Sequence, residues 1–226
     1  MPTDVVPLAF ERGPVDGSRV LLIHGLGSDA RGTWKDTGVC RALDAAGFGW
    51  IAPDLPGHGK SAKPHDAAAY ALPVLVRNVL AVLDGIGVAV ADVVGYSLGA
   101  HVALAIAAAH PERVRRLVLG GIGSAATLPP AVVAQFLTRL PPSADRDAVS
   151  ACVAGVARSE VSRTGDVRAP ALLIAGAADR LAMAGIDALA SAIADARVVR
   201  VPGRNHFNVL TAQPFKQAIC TFLQER

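Results

Sequence analysis

Residues 95–99 read Gly95-Tyr96-Ser97-Leu98-Gly99, and this pentapeptide decides the fold. The apolar run that ends at Gly95 is typical of a buried strand, and the residues from Leu98 onward are typical of a helix. A sharp turn between the two needs glycine on each side of Ser97, because a Cβ there would collide as the backbone reverses. The turn lifts Oγ above the sheet and aims the free N–H groups of the helix at the same point. The pentapeptide therefore indicates a serine presented as a nucleophile.

Strand and helix patterns alternate on both sides of this turn. We predict strands over residues 5–10, 19–24, 50–53, 92–95, 115–120, 171–175 and 197–201. We predict helices over residues 34–46, 72–83, 98–109, 184–194 and 213–224. The strands are rich in Val, Leu and Ile with little polar alternation, as expected when both faces of a sheet are covered. The alternation indicates an α/β fold, with a mostly parallel twisted sheet and helices on both faces.

Residues 121–168 interrupt the alternation. They contain two candidate helices, 131–140 and 146–158, which Pro141-Pro142 separates, and nothing between them resembles a strand. We therefore expect one domain over residues 1–226, with 121–168 as a short helical lid inserted over the sheet. Its apolar residues are candidates to line a site: Leu128, Val132, Val133, Phe136 and Leu137.

The composition limits the class of partner. The formal net charge of +3 comes from scattered arginines, and the densest cluster, residues 113–116, favours a solvated face over a nucleic-acid contact. Charged and polar residues interrupt every apolar run before it reaches membrane length. The cysteines are odd in number and far apart, which predicts free thiols in a reducing compartment: Cys40, Cys152 and Cys220. We expect a cytoplasmic protein that binds neither nucleic acid nor membrane.

Two glycine-rich segments admit other interpretations. Gly25-x-Gly27-x-x-Ala30 loosely matches a dinucleotide fingerprint, but the next strand does not lead into a lone ribose-binding acid. Gly59-Lys60-Ser61 ends like a phosphate-binding loop, but the position that requires glycine holds Asp54. The histidines are dispersed and no metal-ligand spacing occurs, so we expect neither a metal nor a cofactor.

Two further loops lie where the carboxyl ends of parallel strands collect functional residues. His206 follows the last predicted strand, and Asp179 follows the apolar run 170–175 and a turn of small residues. A base must take the proton of a serine nucleophile, and a carboxylate must orient that base. The five remaining histidines lie in helices, at helix ends or in other loops, so His206 is the favoured base.

Together these segments resemble the α/β-hydrolase family over nearly the whole chain. The resemblance is carried by His24-Gly25, by Asp54-Leu55-Pro56-Gly57-His58-Gly59, by the pentapeptide and by the order serine, acid, histidine. It implies that Ser97 is the nucleophile, Asp179 the orienting acid and His206 the base. The oxyanion would be bound by the backbone amides of Leu26 and Leu98, and His24 would brace their loop.

The resemblance implies a serine esterase or lipase-like enzyme. The short lid favours a small or medium carboxylic ester, cleaved through an acyl-enzyme on Ser97. Enol-lactone, thioester and carbon–carbon bond hydrolysis use much the same residues and stay open. So do two other classes: a small-molecule sensor without turnover, and a nucleotide-binding oxidoreductase.

Overall fold

One seven-stranded sheet organises the protein. The computed structural model describes residues 5–14, 19–124, 130–138, 140–142, 144–159 and 164–225. Within them the strand order is β1-β3-β2-β4-β5-β6-β7, with β1 antiparallel to β3 and the other neighbours parallel. The strands are β1 (Phe10–Arg12), β2 (Arg19–Ile23), β3 (Gly49–Pro53), β4 (Ala91–Tyr96), β5 (Val114–Gly120), β6 (Ala171–Gly176) and β7 (Ala196–Val201). The predicted α/β fold class is confirmed.

Helices cover both faces of the sheet. Those described are α1 (Val39–Ala45), α2 (Leu72–Gly85), α3 (Leu98–Ala109), α4 (Pro130–Leu137), α5 (Arg146–Ala157), α6 (Arg180–Met183), α7 (Ile186–Ser191) and α8 (Gln213–Gln224). Successive side chains of a strand point to opposite faces. Leu21 accordingly packs in the core under α2, α3 and α7, whereas Leu22 packs in the core under α1 and α8. Burial on both sides explains why the strands are almost uniformly apolar.

The first strand differs from the prediction over residues 5–10. The observed β1 is Phe10–Arg12, paired with β3 from Phe10↔Pro53 to Arg12↔Ile51. Upstream of it, the amide of Val6 donates to Asn78 Oδ1 at 3.0 Å and the amide of Ala9 donates to Ser61 Oγ at 3.0 Å. Side chains distant in sequence thus bond these two amides, while the backbone oxygen of Ala9 accepts from the amide of Asp54 at 2.8 Å, directly after β3.

A glycine interrupts one predicted helix, and another glycine precedes the observed start of a second. The helix expected over 34–46 is a π-type turn, Arg31–Lys35, followed by Gly38 at φ +82° and then α1. The helix expected over 184–194 is α7 alone, and Gly185 separates it from α6. A Cβ at Gly185 would lie 2.1 Å from the carbonyl oxygen of Gly123, so the chains approach more closely there than a side chain allows.

The segment predicted as a lid contributes α4 and α5. Asp145 begins α5 by accepting a hydrogen bond from the amide of Ala148 at 3.0 Å, as an N-cap does. Near its end, α5 packs against the turn Ala67–Tyr70, where a Cβ at Gly155 would lie 2.2 Å from the oxygen of Ala67. The helix is therefore fixed to the loop that precedes α2.

The three cysteines are free thiols, as predicted. Burial raises the pKa of Cys40 and of Cys152 to about 12, so both thiols stay protonated at neutral pH. Within the described ranges, no helix is both long enough and apolar enough to cross a bilayer.

Candidate active site

Ser97 lies on a strained turn between β4 and α3. Its backbone angles are φ +54° and ψ −114°, in the half of conformational space that favours glycine. The neighbouring glycines are required by contact: a Cβ at Gly95 would lie 2.2 Å from the oxygen of Gly99, and a Cβ at Gly99 would lie 2.0 Å from the oxygen of Ile23. Strain of this kind typically costs about 1–3 kcal/mol. The rest of the fold therefore holds this serine in a conformation that it would otherwise avoid.

The imidazole of His206 faces the serine. Its Nε2 lies 3.1 Å from Ser97 Oγ, and its Nδ1 lies 2.8 Å from Asp179 Oδ2. Because an ionised carboxylate only accepts hydrogen bonds, the proton belongs on Nδ1, which leaves Nε2 free to accept from the serine hydroxyl. The imidazole is 16% exposed, and the Asp179 side chain is fully buried. The structure thus brings together the three side chains that the sequence singled out.

Asp179 has a second structural task at the end of β6. Its Oδ1 accepts from the amides of Leu181 and Ala182 at 3.1 and 3.2 Å, which caps α6 and leaves Oδ2 for His206. The preceding loop is bonded to the histidine loop, since the amide of Ala178 donates to the oxygen of Arg204 at 2.8 Å. The carboxylate is therefore fixed both by its own helix and by the loop that carries its partner.

The glycine-rich turn after β2 lies against the serine. A Cβ at Gly25 would lie 3.5 Å from the Cβ of Ser97. His24 braces this turn, as expected: its Nδ1–H donates to the oxygen of Gly25 at 2.8 Å, and its Nε2 accepts from the amide of Leu55 at 2.9 Å. Burial lowers the pKa of His24 to about 4, so its ring is neutral at pH 7.

Of the two amides expected to bind an oxyanion, Leu98 opens α3, where an N–H has no acceptor within the helix. Leu26 is half-buried in the turn after β2, between Gly25 and Gly27. Their role as oxyanion donors stays a prediction.

A second buried histidine supports the same region. His58 packs 5.1 Å from the His24 ring, centroid to centroid, and its Nδ1–H donates to the oxygen of Pro56 at 2.8 Å. Burial, and to a lesser extent His24, lower its pKa to about 3. In the same loop Asp54 accepts from the amides of Ala30 and Lys60 at 2.9 and 2.8 Å. Asp54 thus stabilises this loop by hydrogen bonds.

Apolar side chains border the glycine turn. A Cβ at Gly27 would lie 2.6 Å from Phe136 Cζ and 2.5 Å from Leu140 Cδ2, so α4 and the residues after it cover this turn. Phe136 was among the predicted lining residues, whereas Leu140 was not. Val133 and Leu137 are half-buried, and Leu128 and the side chain of Val132 lie outside the described residues.

Phe207 is a site residue that the sequence analysis missed. It is 60% exposed, and its ring stands edge-on to the His206 imidazole at 5.4 Å between centroids. A large aromatic residue directly after the candidate base was the available signal. Such a side chain presents exposed apolar surface beside the candidate base.

Comparison with known proteins bears on the fold. Residues 18–138, more than half of the chain, match a family model described as alpha/beta hydrolase fold. A 2-hydroxymuconate semialdehyde hydrolase from Pseudomonas putida is 42% identical over 106 residues, a match that spans 47% of this chain but only 37% of that protein.

Two solved structures are similar over almost their whole length. The enol-lactonase from Burkholderia xenovorans LB400 superposes with a TM-score of 0.84 at 24% identity, and covers 96% of both chains. A hydrolase from Pseudomonas aeruginosa PA01 superposes with a TM-score of 0.82 at 27% identity, over 96% of this chain and 94% of its own.

Proposed function

Because the chain belongs to the α/β hydrolase family, we propose that it is a serine hydrolase with Ser97 as nucleophile, His206 as base and Asp179 as orienting acid. One observation carries the proposal: the continuous chain of hydrogen bonds from Ser97 Oγ through the imidazole to a fully buried carboxylate. The three groups come from three separate loops, after β4, β6 and β7. Nucleophilic catalysis requires such an arrangement, in which a base reaches the hydroxyl and a third group orients the base.

The proposed reaction has two halves. Ser97 Oγ bonds to the acyl carbon while its proton passes to His206 Nε2, and the carbonyl electron pair moves to oxygen. The amides of Leu26 and Leu98 bind that oxyanion, and one such donor is typically worth about 3 kcal/mol of barrier. As the carbon–oxygen bond to the leaving group breaks, His206 returns the proton to the departing alcohol. Water then attacks the acyl-enzyme with the same base and releases the acid.

For the substrate we propose a small or medium carboxylic ester with apolar groups. Phe136 and Leu140 border the turn beside the serine, and Phe207 stands against the imidazole, so apolar surface surrounds the proposed reaction centre. The free thiols support a reducing compartment, and we propose the cytoplasm.

Hydrolysis of a carbon–carbon bond is the second candidate. It is favoured by the 42% identity with the semialdehyde hydrolase, although that match spans 37% of the relative's length. The same attack on a carbonyl would serve, with a stabilised carbanion leaving in place of an alcohol. Enol-lactone hydrolysis is a variant of ester hydrolysis and needs no different residue.

The test is a series of p-nitrophenyl esters with acyl chains of two to ten carbons, run beside a diketone substrate. We expect turnover of the shorter esters, and a loss of roughly 10⁴-fold or more in kcat for Ser97→Ala. Ser150→Ala is the matched control, because Ser150 lies exposed on α5 and only donates to the oxygen of Arg146 at 2.8 Å. Unchanged turnover in Ser97→Ala would refute the mechanism. Turnover of the diketone alone would favour the second candidate.

A further inference from the structure

Tyr96, the residue directly before the proposed nucleophile, links β4 to the loop of the proposed base. Its hydroxyl donates a hydrogen bond to the backbone oxygen of His206. Its ring also packs against the His206 imidazole, with centroids 5.4 Å apart, and against Phe215 on the other side at 6.1 Å. The side chain is only 4% exposed. A buried tyrosine needs a partner for its hydroxyl, and here that partner is the proposed base's own backbone.

Two glycines make room for this ring. A Cβ at Gly120 would lie 2.7 Å from Tyr96 Cδ2, and a Cβ at Gly121 would lie 2.8 Å from Tyr96 Cζ. Gly121 also has φ +63°, a conformation that glycine adopts readily. Gly120 ends β5 and Gly121 follows it, and the amide of Ser97 donates to the oxygen of Gly120 at 2.8 Å. The end of β5 thus accepts a hydrogen bond from the turn at Ser97 and also leaves space for the Tyr96 ring.

The Tyr96 hydroxyl remains a donor at every pH at which the protein would work. Burial, with a smaller contribution from the charge of Asp179, raises the pKa of Tyr96 well above its ordinary range. The backbone oxygen of His206 can only accept. The polarity of this bond is therefore fixed.

Other bonds shape the histidine loop. Asn205 Oδ1 accepts from the amides of Phe207 and Asn208 at 3.0 and 3.1 Å, which sets the curvature of the loop. Those bonds lie within the loop, and the bond from the amide of Ala178 to the oxygen of Arg204 joins it to the Asp179 loop, not to the turn at Ser97. The Tyr96 hydroxyl bonds directly to the backbone of His206, and Tyr96 is the residue before Ser97 in the chain. One side chain therefore connects the nucleophile's backbone to the base's backbone.

We propose that Tyr96 is a positioning residue for the hydrolase reaction, holding the His206 backbone where the imidazole meets Ser97. This inference rests on the proposed function. Tyr96 touches no reacting atom in this role, since it acts through the base. Misplacement of a reacting group by about 1 Å can cost a factor of roughly 100 in rate.

The test compares Tyr96→Phe with Tyr70→Phe. Tyr70 is a matched control, because it too is fully buried and donates to a backbone oxygen, that of Pro64 at 2.6 Å, in a loop without proposed catalytic residues. Both variants keep the ring and lose one buried hydrogen bond. We expect each to lower Tm by about 2–4 °C.

The two variants should differ in the site. Tyr96→Phe should lower kcat by roughly 10-fold to 100-fold with KM within about twofold, and should speed amide exchange in residues 203–208. Tyr70→Phe should leave both unchanged. Wild-type kcat and exchange in Tyr96→Phe, or an equal loss of kcat in both variants, would overturn the proposal.

The exchange measurement needs no substrate, so it separates two kinds of failure. A wild-type protein that turns over neither ester nor diketone and is not labelled by a fluorophosphonate would overturn the proposed function. Exchange in residues 203–208 would still decide whether Tyr96 holds the His206 loop, because the comparison of wild type with Tyr96→Phe requires no turnover and differs only in the Tyr96 hydroxyl.

Discussion

Replacing Ser97 by glycine should make the protein more stable than replacing it by alanine. Both variants lose the hydroxyl and its hydrogen bond to His206, so those losses cancel in the comparison. What remains is the backbone, which at φ +54° suits glycine and strains alanine. Strain relief of about 2 kcal/mol, the middle of the usual range of about 1–3, favours Ser97→Gly, and the added freedom of unfolded glycine takes away about 0.7 kcal/mol. The net difference is about 1.3 kcal/mol in favour of Ser97→Gly.

Urea unfolding measures this difference directly. For a slope of about 2–3 kcal/mol per molar urea, the midpoint of Ser97→Gly should lie roughly 0.5 M above that of Ser97→Ala. Ser150 gives the control with the opposite sign, because it lies in the middle of α5. The Ser150→Gly variant should be about 1 kcal/mol less stable than the Ser150→Ala variant. A Ser97→Ala variant as stable as Ser97→Gly, with the Ser150 pair behaving as expected, would refute the claim that the turn stores strain.

Two further predictions concern the Asp179 carboxylate and the buried His24. Asp179→Asn should fold, because its amide oxygen can still cap α6. It should nevertheless lower kcat by roughly 10³-fold to 10⁴-fold, since an amide NH₂ cannot accept a hydrogen bond from the Nδ1–H of His206. Steady-state kinetics measures this loss, with circular dichroism as the folding control. Burial keeps the pKa of His24 at about 4, so the unfolded chain takes up a proton first as pH falls below about 6.5. The free energy of unfolding should therefore drop by about 2 kcal/mol between pH 7 and pH 5 from this residue, levelling off near pH 4; denaturant titrations with no such drop would contradict it.

The centre of the fold could be predicted because its signals are local. The turn at Ser97 needs glycine two positions away on each side, and both glycines stand in the same five residues. The carboxyl-edge loops of β6 and β7 follow from the alternation of strands and helices, which brings Asp179 and His206 to one edge. Short-range pattern and a general topological rule brought these residues to one edge, and the resemblance to the α/β-hydrolase family singled them out there.

The parts that could not be predicted depend on distant partners. The amides of Val6 and Ala9 bond to side chains 72 and 52 residues away, so nothing near them in sequence marks the segment as other than a strand. The Tyr96 hydroxyl meets a carbonyl 110 residues away. A tyrosine in an apolar strand signals that some partner exists, but the sequence does not say which one. The helix predicted over 184–194 begins only after Gly185, where the oxygen of Gly123 approaches more closely than a side chain allows, another contact between separate segments.

The sheet order has a consequence for synthesis of the chain from its amino end. From β3 onward, each strand emerges after at least one of its sheet neighbours: β3 joins β1 and β2, β4 joins β2, and β5, β6 and β7 each join the strand made just before. No strand from β4 on has to open a pair that has already formed. Ser97 is therefore translated more than 100 residues before His206, which belongs to the loop after the last strand to be made. Until then the turn at Ser97 has no histidine to take the proton of its hydroxyl.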